Sequence, residues 1–386
     1  MKRRIYFDHA ATTPISPKVL EELGREAGLI GNPSSLHFFG RQVREQVESA
    51  REEIAAALGA KASEVIFTGS GTEANNTAIK GLFWKRAPRK VIVSTSIEHH
   101  AVLDPIHWLV QHEGALHRNL QVDRRGCPNF RQLKEIVDQE GDEIALISLI
   151  HTNNELGTVI DLERISSIIG GIPLHLDAVQ SLGKVNFNFQ ASGAISAAIS
   201  AHKVGGPLGV GALLLRHGID VTPLLHGGGQ ERDIRSGTLN APGILAFALA
   251  IKEMKENFNS QVEKVKGLRA RMIAIINEKV PDASFNGTGD APGILNVTFP
   301  GTDNEASLLL FDSAGIAAST GSACSQGVAE TSHVLLGIGL SESEARSTLR
   351  FSLNHRNDMD EVEYFGEVLT NVIAKARAAF AAGSRS

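Results

Sequence analysis

The sequence has little cysteine, two residues (Cys127 and Cys324) in a chain of 386. One possible bridge across such a length excludes a disulfide framework, and two thiols so far apart do not suggest zinc, so a reducing compartment is the expected setting. No run approaches the roughly 18 apolar residues of a membrane helix. Met1-Lys2-Arg3-Arg4 has the charge of a signal n-region, but Ile5-Tyr6-Phe7-Asp8-His9 stands where an apolar stretch of about 7–15 residues would be needed. A soluble, cytoplasmic protein without membrane contact is expected. Excess positive charge is also lacking: 38 Lys and Arg against 43 Asp and Glu give a formal net charge of −5, which argues against nucleic acid as a partner. Internal repeats, low-complexity segments and Asp/Glu/His metal clusters are missing, as are Gly-Lys-Ser/Thr and G-x-G-x-x-G phosphate loops.

Glycine is in excess, with 38 residues, about 10% against the usual ~7%. Ser16-Pro17 is an N-cap and first-turn pair for a helix to about Gly28. Val43, Val47, Ala50, Ile54 and Leu58 mark one face of a helix over 40–58, with Gly59 placed to end it. Short apolar runs then alternate with helical patterns: Val65 to Phe67, Val91 to Val93, Ile144 to Ile150, Pro173 to Leu176, Ile195 to Ile199 and Ala212 to Leu215, with a further strand around 116–122. Runs apolar throughout predict an α/β fold with a mostly parallel central sheet covered by helices on both faces. After Gly237-Thr238-Leu239-Asn240 the pattern changes to two long helical stretches, 241–257 and 260–279, followed by a mixed region. A large domain over 15–257 and a smaller α+β domain from 1–14 and 258–386 are expected.

In such sheets chemistry sits beyond the carboxyl ends of the strands. Phe67-Thr68-Gly69-Ser70-Gly71-Thr72-Glu73 passes from strand through a small-residue turn into a helix, where free N–H groups and the helix dipole favour an anion. Ser200-Ala201-His202-Lys203 places a lysine after a strand, and desolvation there would lower its pKa and favour a Schiff base. Asp177 ends another strand, where a carboxylate suits a protonated pyridine nitrogen. Singly, the first segment reads equally well as a plain turn capped by Thr72, while Lys203 reads more readily as a surface lysine and Asp177 as a helix N-cap. Together they match the needs of pyridoxal phosphate: a phosphate cup, a lysine and an acidic partner for the ring.

Further segments extend the pattern: Tyr6 to Pro14, Gly31-Asn32-Pro33-Ser34-Ser35-Leu36-His37, Glu98-His99, Asn153-Asn154-Glu155, Asp177 to Gln180, Gly227 to Thr238 and Gly321-Ser322-Ala323-Cys324. Over nearly its whole length the chain resembles the pyridoxal-phosphate cysteine desulfurases of the NifS/IscS kind, in the class V aminotransferase superfamily. The resemblance implies PLP-dependent transferase fold type I and conversion of L-cysteine to L-alanine, with the sulfur held as a persulfide of Cys324. Lys203 would carry the cofactor and move protons, Asp177 would pair with the ring nitrogen, and His99 would stack on the ring. Gln180 and Asn154 would contact the ring oxygen, and Gly71, Thr72, Ser200 and His202 would hold the phosphate. Thr238 would reach the phosphate in the partner subunit, which implies a homodimer. Arg350 resembles the family's substrate-carboxylate arginine, with Asn32 and Arg235 as weaker candidates for that pocket, and no metal is implied. Cys324 would sit on a mobile loop, about 318–330, that delivers sulfur to an acceptor protein for iron–sulfur assembly or thio-modification. Cys127 lacks the pattern and reads as structural or incidental. Alternatives are a selenocysteine lyase, another class V enzyme, or a non-catalytic sulfur carrier or scaffold.

Overall fold

A computed structural model describes residues 3–321 and 331–383. In chain order the elements are β1 (Ile5–Tyr6), α1 (Pro17–Glu26), α2 (Phe38–Leu58), β2 (Val65–Thr68), α3 (Gly71–Lys85), β3 (Val91–Thr95), α4 (His100–Glu113) and β4 (Leu116–Leu120). Next come α5 (Phe130–Glu140), β5 (Ile144–Ile150), α6 (Leu162–Ile169), β6 (Leu174–Asp177), β7 (Ser196–Ser200), β8 (Gly211–Leu215) and α7 (Ala241–Lys279). The remainder is β9 (Ser284–Asn286), β10 (Ile294–Thr298), α8 (Asn304–Ser313), β11 (Ile316–Ala317), α9 (His333–Gly337), α10 (Glu342–Arg346), β12 (Thr348–Ser352) and α11 (Met359–Gly383).

Seven strands form the central sheet in the order β2-β8-β7-β6-β5-β3-β4. The pairings from β7 through β4 are parallel, and β8 alone runs antiparallel, to both β7 and β2. Every strand expected in this region is present. Alternate side chains feed two separate cores: Val65, Phe67, Val91 and Val93 pack on one face, and Ile66, Ile92, Leu146 and Leu213 on the other. Covering both faces is what makes these strands apolar throughout.

A third core joins Ile5 and Phe7 to Val265, Met272, Val297, Phe351 and Phe365 around the three-stranded sheet β12-β10-β9. The two helical stretches expected between the cores are in fact one helix, α7, of 39 residues. No proline or glycine interrupts 257–260, and Ser260 Oγ donates to the Asn257 carbonyl within the helix (2.9 Å). Ala248, Ile251 and Met254 of α7 enter the first core, while Val265, Leu268 and Met272 enter the third. The short strands β1, β9 and β11 were not expected; β1 pairs with β11 through Ile5↔Ile316, a contact with no local signature. Ser16 caps α1, and Gly59 ends α2 in the left-handed conformation (φ 66°).

The loop after β8 is fastened to the sheet by a buried ion pair. Glu231 (1% exposed) accepts bonds from both Arg51 terminal nitrogens at 2.8 Å and from the Phe67 amide at 2.8 Å. Removing one member of a buried pair leaves the other charge uncompensated. Glu231→Leu should therefore cost about 3–5 kcal/mol in chemical denaturation; a loss below about 1 kcal/mol would show that the pair anchors nothing.

Candidate active site

β5 and β6 end level, since Ile150 pairs with Asp177, and β7 runs two residues further, past Ala198 opposite Asp177. Beyond those ends lies a cavity of about 530 Å³, within the size range of small-molecule sites. Its lining includes Lys203, Asp177, His99, Gln180 and Asn154, together with Gly71, Thr72, Ser200, His202 and Arg350. Asn32, Thr238 and Arg235 are not among the lining residues. Asn32 and Thr238 are exposed; Arg235 instead donates from Nε to Glu73 Oε1 at 2.8 Å. Cys324, with the 322–330 part of its expected loop, lies outside the described residues.

The turn between β2 and α3 is capped by Ser70 and not by Thr72: Ser70 Oγ accepts from the Glu73 amide at 3.1 Å. Glu73 reaches back to accept from the Gly69 amide at 2.7 Å. A Cβ at Gly71 would stand 2.6 Å from Val179 Cγ2, so only glycine lets the helix start close to the loop after β6.

Lys203 follows β7 in a single 3₁₀ turn. Its Nζ donates to the carbonyls of Ala10 (2.7 Å) and Ala11 (2.8 Å). Burial, reinforced by the positive charge of Arg350, lowers its pKa to about 8. His99 caps α4, with Nδ1 accepting the Ala101 amide at 3.0 Å, so a neutral ring carries its proton on Nε2. Burial holds His99 below its ordinary pKa, while Asp177 opposes that shift. Asp177 is 4% exposed. Burial raises its pKa, against the charge of His99 and against bonds accepted from the Val179 amide (3.1 Å) and Asn75 Nδ2 (2.9 Å).

Arg350, on β12, donates from Nη2 to Asp8 Oδ1 (2.7 Å) and from Nη1 to the Asn154 carbonyl (3.1 Å). Its Nε, like Asn154 Oδ1 and Gln180 Oε1, is buried without a hydrogen-bond partner. Unpaired buried polar atoms are costly. With one oxygen of Glu98, four such atoms belong to residues lining one cavity, which indicates a polar ligand. Among the described residues, no group of His, Cys, Asp or Glu is arranged to hold a metal ion, and no helix is long and apolar enough to cross a membrane. Cys127 is half-buried, and burial raises its thiol pKa.

Sequence reasoning assigned no role to Asp8, Asn75, Glu98, His175 or the carbonyls of Ala10 and Ala11. Glu98 is fully buried, with one oxygen accepting from Thr95 Oγ1 (2.6 Å) and the other unpaired. Burial, with Asp177 nearby, pushes it up to about 8. The folded protein therefore keeps this proton while the unfolded chain, near pKa 4.5, has lost it, so stability falls as pH rises between those values. Glu98→Gln, which mimics the protonated acid, should melt with wild type at pH 5 and above it at pH 8.5; coincident melting at both would contradict a retained proton.

The family profile described as Aminotransferase class-V matches residues 5–365. The IscS-like cysteine desulfurase of Mycobacterium tuberculosis is 43% identical, over 99% of each chain. Cysteine desulfurase IscS of Dictyoglomus turgidum is 40% identical over 98% of this chain and 96% of its own. A solved NifS-like protein superposes with a TM-score of 0.89 at 33% identity, covering 96% of this chain and 99% of the other. A profile spanning nearly the whole chain, relatives at this identity and the mostly parallel sheet agree: the chain belongs to the class V aminotransferase family, whose members use pyridoxal phosphate.

Proposed function

We propose that this protein is a pyridoxal-phosphate-dependent cysteine desulfurase. It converts L-cysteine to L-alanine, captures the sulfur as a persulfide on Cys324 and passes it to an acceptor protein for iron–sulfur cluster assembly or thio-modification. The observation that carries this reading is the gathering in one cavity of Lys203, Asp177, His99 and Arg350, with four buried polar atoms left unpaired on its lining residues. The names of the relatives, cysteine desulfurases matched over nearly full length, select the substrate.

The residues fit the cofactor. The Ser70–Thr72 turn at the start of α3, with Ser200 and His202, holds the phosphate ester, because helix-start amides and close backbone approach favour an anion. Asn154 and Gln180 line the cavity, and their side-chain amide N–H groups serve the ring's oxygen substituent. Asp177 serves the ring nitrogen, and His99 stacks on the ring. When bound, pyridoxal phosphate supplies an electron sink for the substrate Cα.

Lys203 is the proton carrier. An amine with a pKa of about 8 keeps an appreciable free-base fraction at neutral pH, so Nζ can take the Cα proton and return it. Arg350 holds the substrate carboxylate, with Nε–H still unpaired for that purpose. The Cys324 thiolate attacks the substrate sulfur. The C–S bond breaks, its electron pair stays with carbon, and that carbon takes up a proton to become the alanine methyl group.

The working unit in this reading is a cytoplasmic homodimer. Exposed Ile30, Leu36, Phe38 and Phe39 support an apolar contact between copies, and exposed Thr238 is free to reach a partner's phosphate. The large domain is 15–257, and the small one is 1–14 with 258–386. The separate cores on the two halves of α7 support that division.

Purified protein should absorb visible light and release alanine from L-cysteine in the presence of a thiol reductant. Lys203→Ala should lose both properties; a colourless wild type that pyridoxal phosphate cannot restore would sink the reading. Arg350→Lys keeps the charge but loses the fork and should raise KM for cysteine about 10- to 100-fold, the effect of one or two bonds to a charged group. An unchanged KM would remove Arg350 from the carboxylate site.

A further inference from the structure

From Asp177, through Asn75 on the cavity wall and on into the protein interior, runs a buried chain of side chains that the proposed reaction does not use. Asn75 Nδ2 donates to Asp177 Oδ2 (2.9 Å), Asn75 Oδ1 meets His175 Nε2 (2.9 Å), and His175 Nδ1 meets Ser196 Oγ (2.9 Å). All four residues are buried: Asn75 is 1% exposed, His175 and Ser196 0%. An ionised carboxylate can only accept, so the Asn75 amino group must face Asp177 and its oxygen must face His175. That oxygen can only accept, so His175 carries its proton on Nε2. Nδ1 is then a bare lone pair and takes the Ser196 hydroxyl proton. Every bond in the series consequently points the same way, toward Asp177.

We propose that Ser196, His175 and Asn75 form a one-way hydrogen-bond relay that keeps Asp177 ionised and oriented toward the cofactor ring, making them positioning residues for the reaction. The relay rests on the pyridoxal-phosphate reading above. Two donors, Asn75 Nδ2 and the Val179 amide, stabilise a carboxylate that burial otherwise drives toward its neutral form. Bonds in such a series polarise one another, so the far end contributes although it does not touch the ring. His175 suits the middle position because burial holds it neutral well below working pH, with a pKa of about 3. A ring that gained a second proton would donate from both nitrogens and would turn the Ser196 hydroxyl away. The sheet supplies the register: His175 and Asp177 are two apart on β6 and share a face, and His175 pairs directly with Ser196 on β7. Asn75 reaches both from the start of the second turn of α3, four residues beyond Gly71.

The test is the pH titration of the bound cofactor's visible absorbance in the loaded enzyme, read beside kcat and KM. A weaker Asp177 lets the ring nitrogen lose its proton more readily, and the lysine-linked nitrogen then holds its own proton to higher pH. Asn75→Leu should move the titration midpoint upward by about one pH unit, as expected for one lost bond to a charged group. It should also lower kcat about tenfold while leaving KM for cysteine near the wild-type value. Ser196→Ala, which removes one oxygen, should shift the midpoint in the same direction by less. His175→Gln, which can still donate to Asn75, should lie closer to wild type than His175→Leu. Unmoved midpoints in both Asn75→Leu and Ser196→Ala, or a downward shift, would overturn the relay. A wild-type protein with no visible band at all would instead overturn the cofactor reading, so the two failures are distinguishable.

Discussion

A carboxylate buried at the end of a parallel strand is expensive, and Asp177 is the group around which the rest of the site is arranged. Removed from water it tends to neutralise, and it stays ionised only where donors and opposite charge surround it. The fold supplies these from several directions: the Val179 amide from the following loop, Asn75 from α3, and the positive charge of Lys203 across the cavity. Each donor stands at the carboxyl edge of the sheet or at the start of a helix that crosses back over it. Altering the strand register would therefore misplace all of them at once.

The N-terminal arm ties this edge of the sheet to the remainder of the chain. Ile5 and Phe7 are buried with α7, β10, β12 and α11, and β1 pairs with β11. A few residues later, Asp8 binds Arg350, Gln180 Nε2 donates to the Ala10 carbonyl (2.7 Å), and the carbonyls of Ala10 and Ala11 together hold Lys203. The Ala10 amide meanwhile donates to Ser352 Oγ at 2.9 Å. One short segment, folded into a turn at 8–11, thus sets the lysine, the arginine and the glutamine relative to one another. Loop-borne groups acquire the precision of a rigid scaffold in this way, since their positions are fixed by buried backbone bonds.

The central sheet was legible because burial on both faces writes itself into the sequence as uninterrupted apolar runs; Ile144 to Ile150 is a complete strand. The weakest of these strands in the sequence, Leu116-His117-Arg118-Asn119-Leu120, is the sheet's edge, where one side lacks a neighbour and polar side chains are tolerated. Strands of two or three residues such as β1 and β11 carry no such pattern, because their pairing depends on residues about 300 positions away. The break expected between 257 and 260 does not form: the stretch holds neither glycine nor proline, and tertiary packing on both sides carries the helix through. In the site, Lys203 and Asp177 could be found because side-chain type and position at strand ends carry information, whereas His99 and Arg350 were reached only through the family resemblance. The carbonyls of Ala10 and Ala11 could not, since a backbone acceptor has no residue-type signature. His175 was within reach, as the i−2 neighbour of Asp177 on the same strand face.

The central claim is that sulfur leaves cysteine and comes to rest on one particular thiol of this chain. The most direct measurement is to incubate the loaded enzyme with L-cysteine in the absence of reductant, digest it under non-reducing conditions and weigh the two cysteine-containing peptides. The peptide containing Cys324 should be heavier by one sulfur atom, in amounts matching the alanine formed in the first turnover, and the peptide containing Cys127 should be unchanged. Alanine formed while the Cys324 peptide keeps its original mass, or added sulfur found on Cys127, would contradict the account.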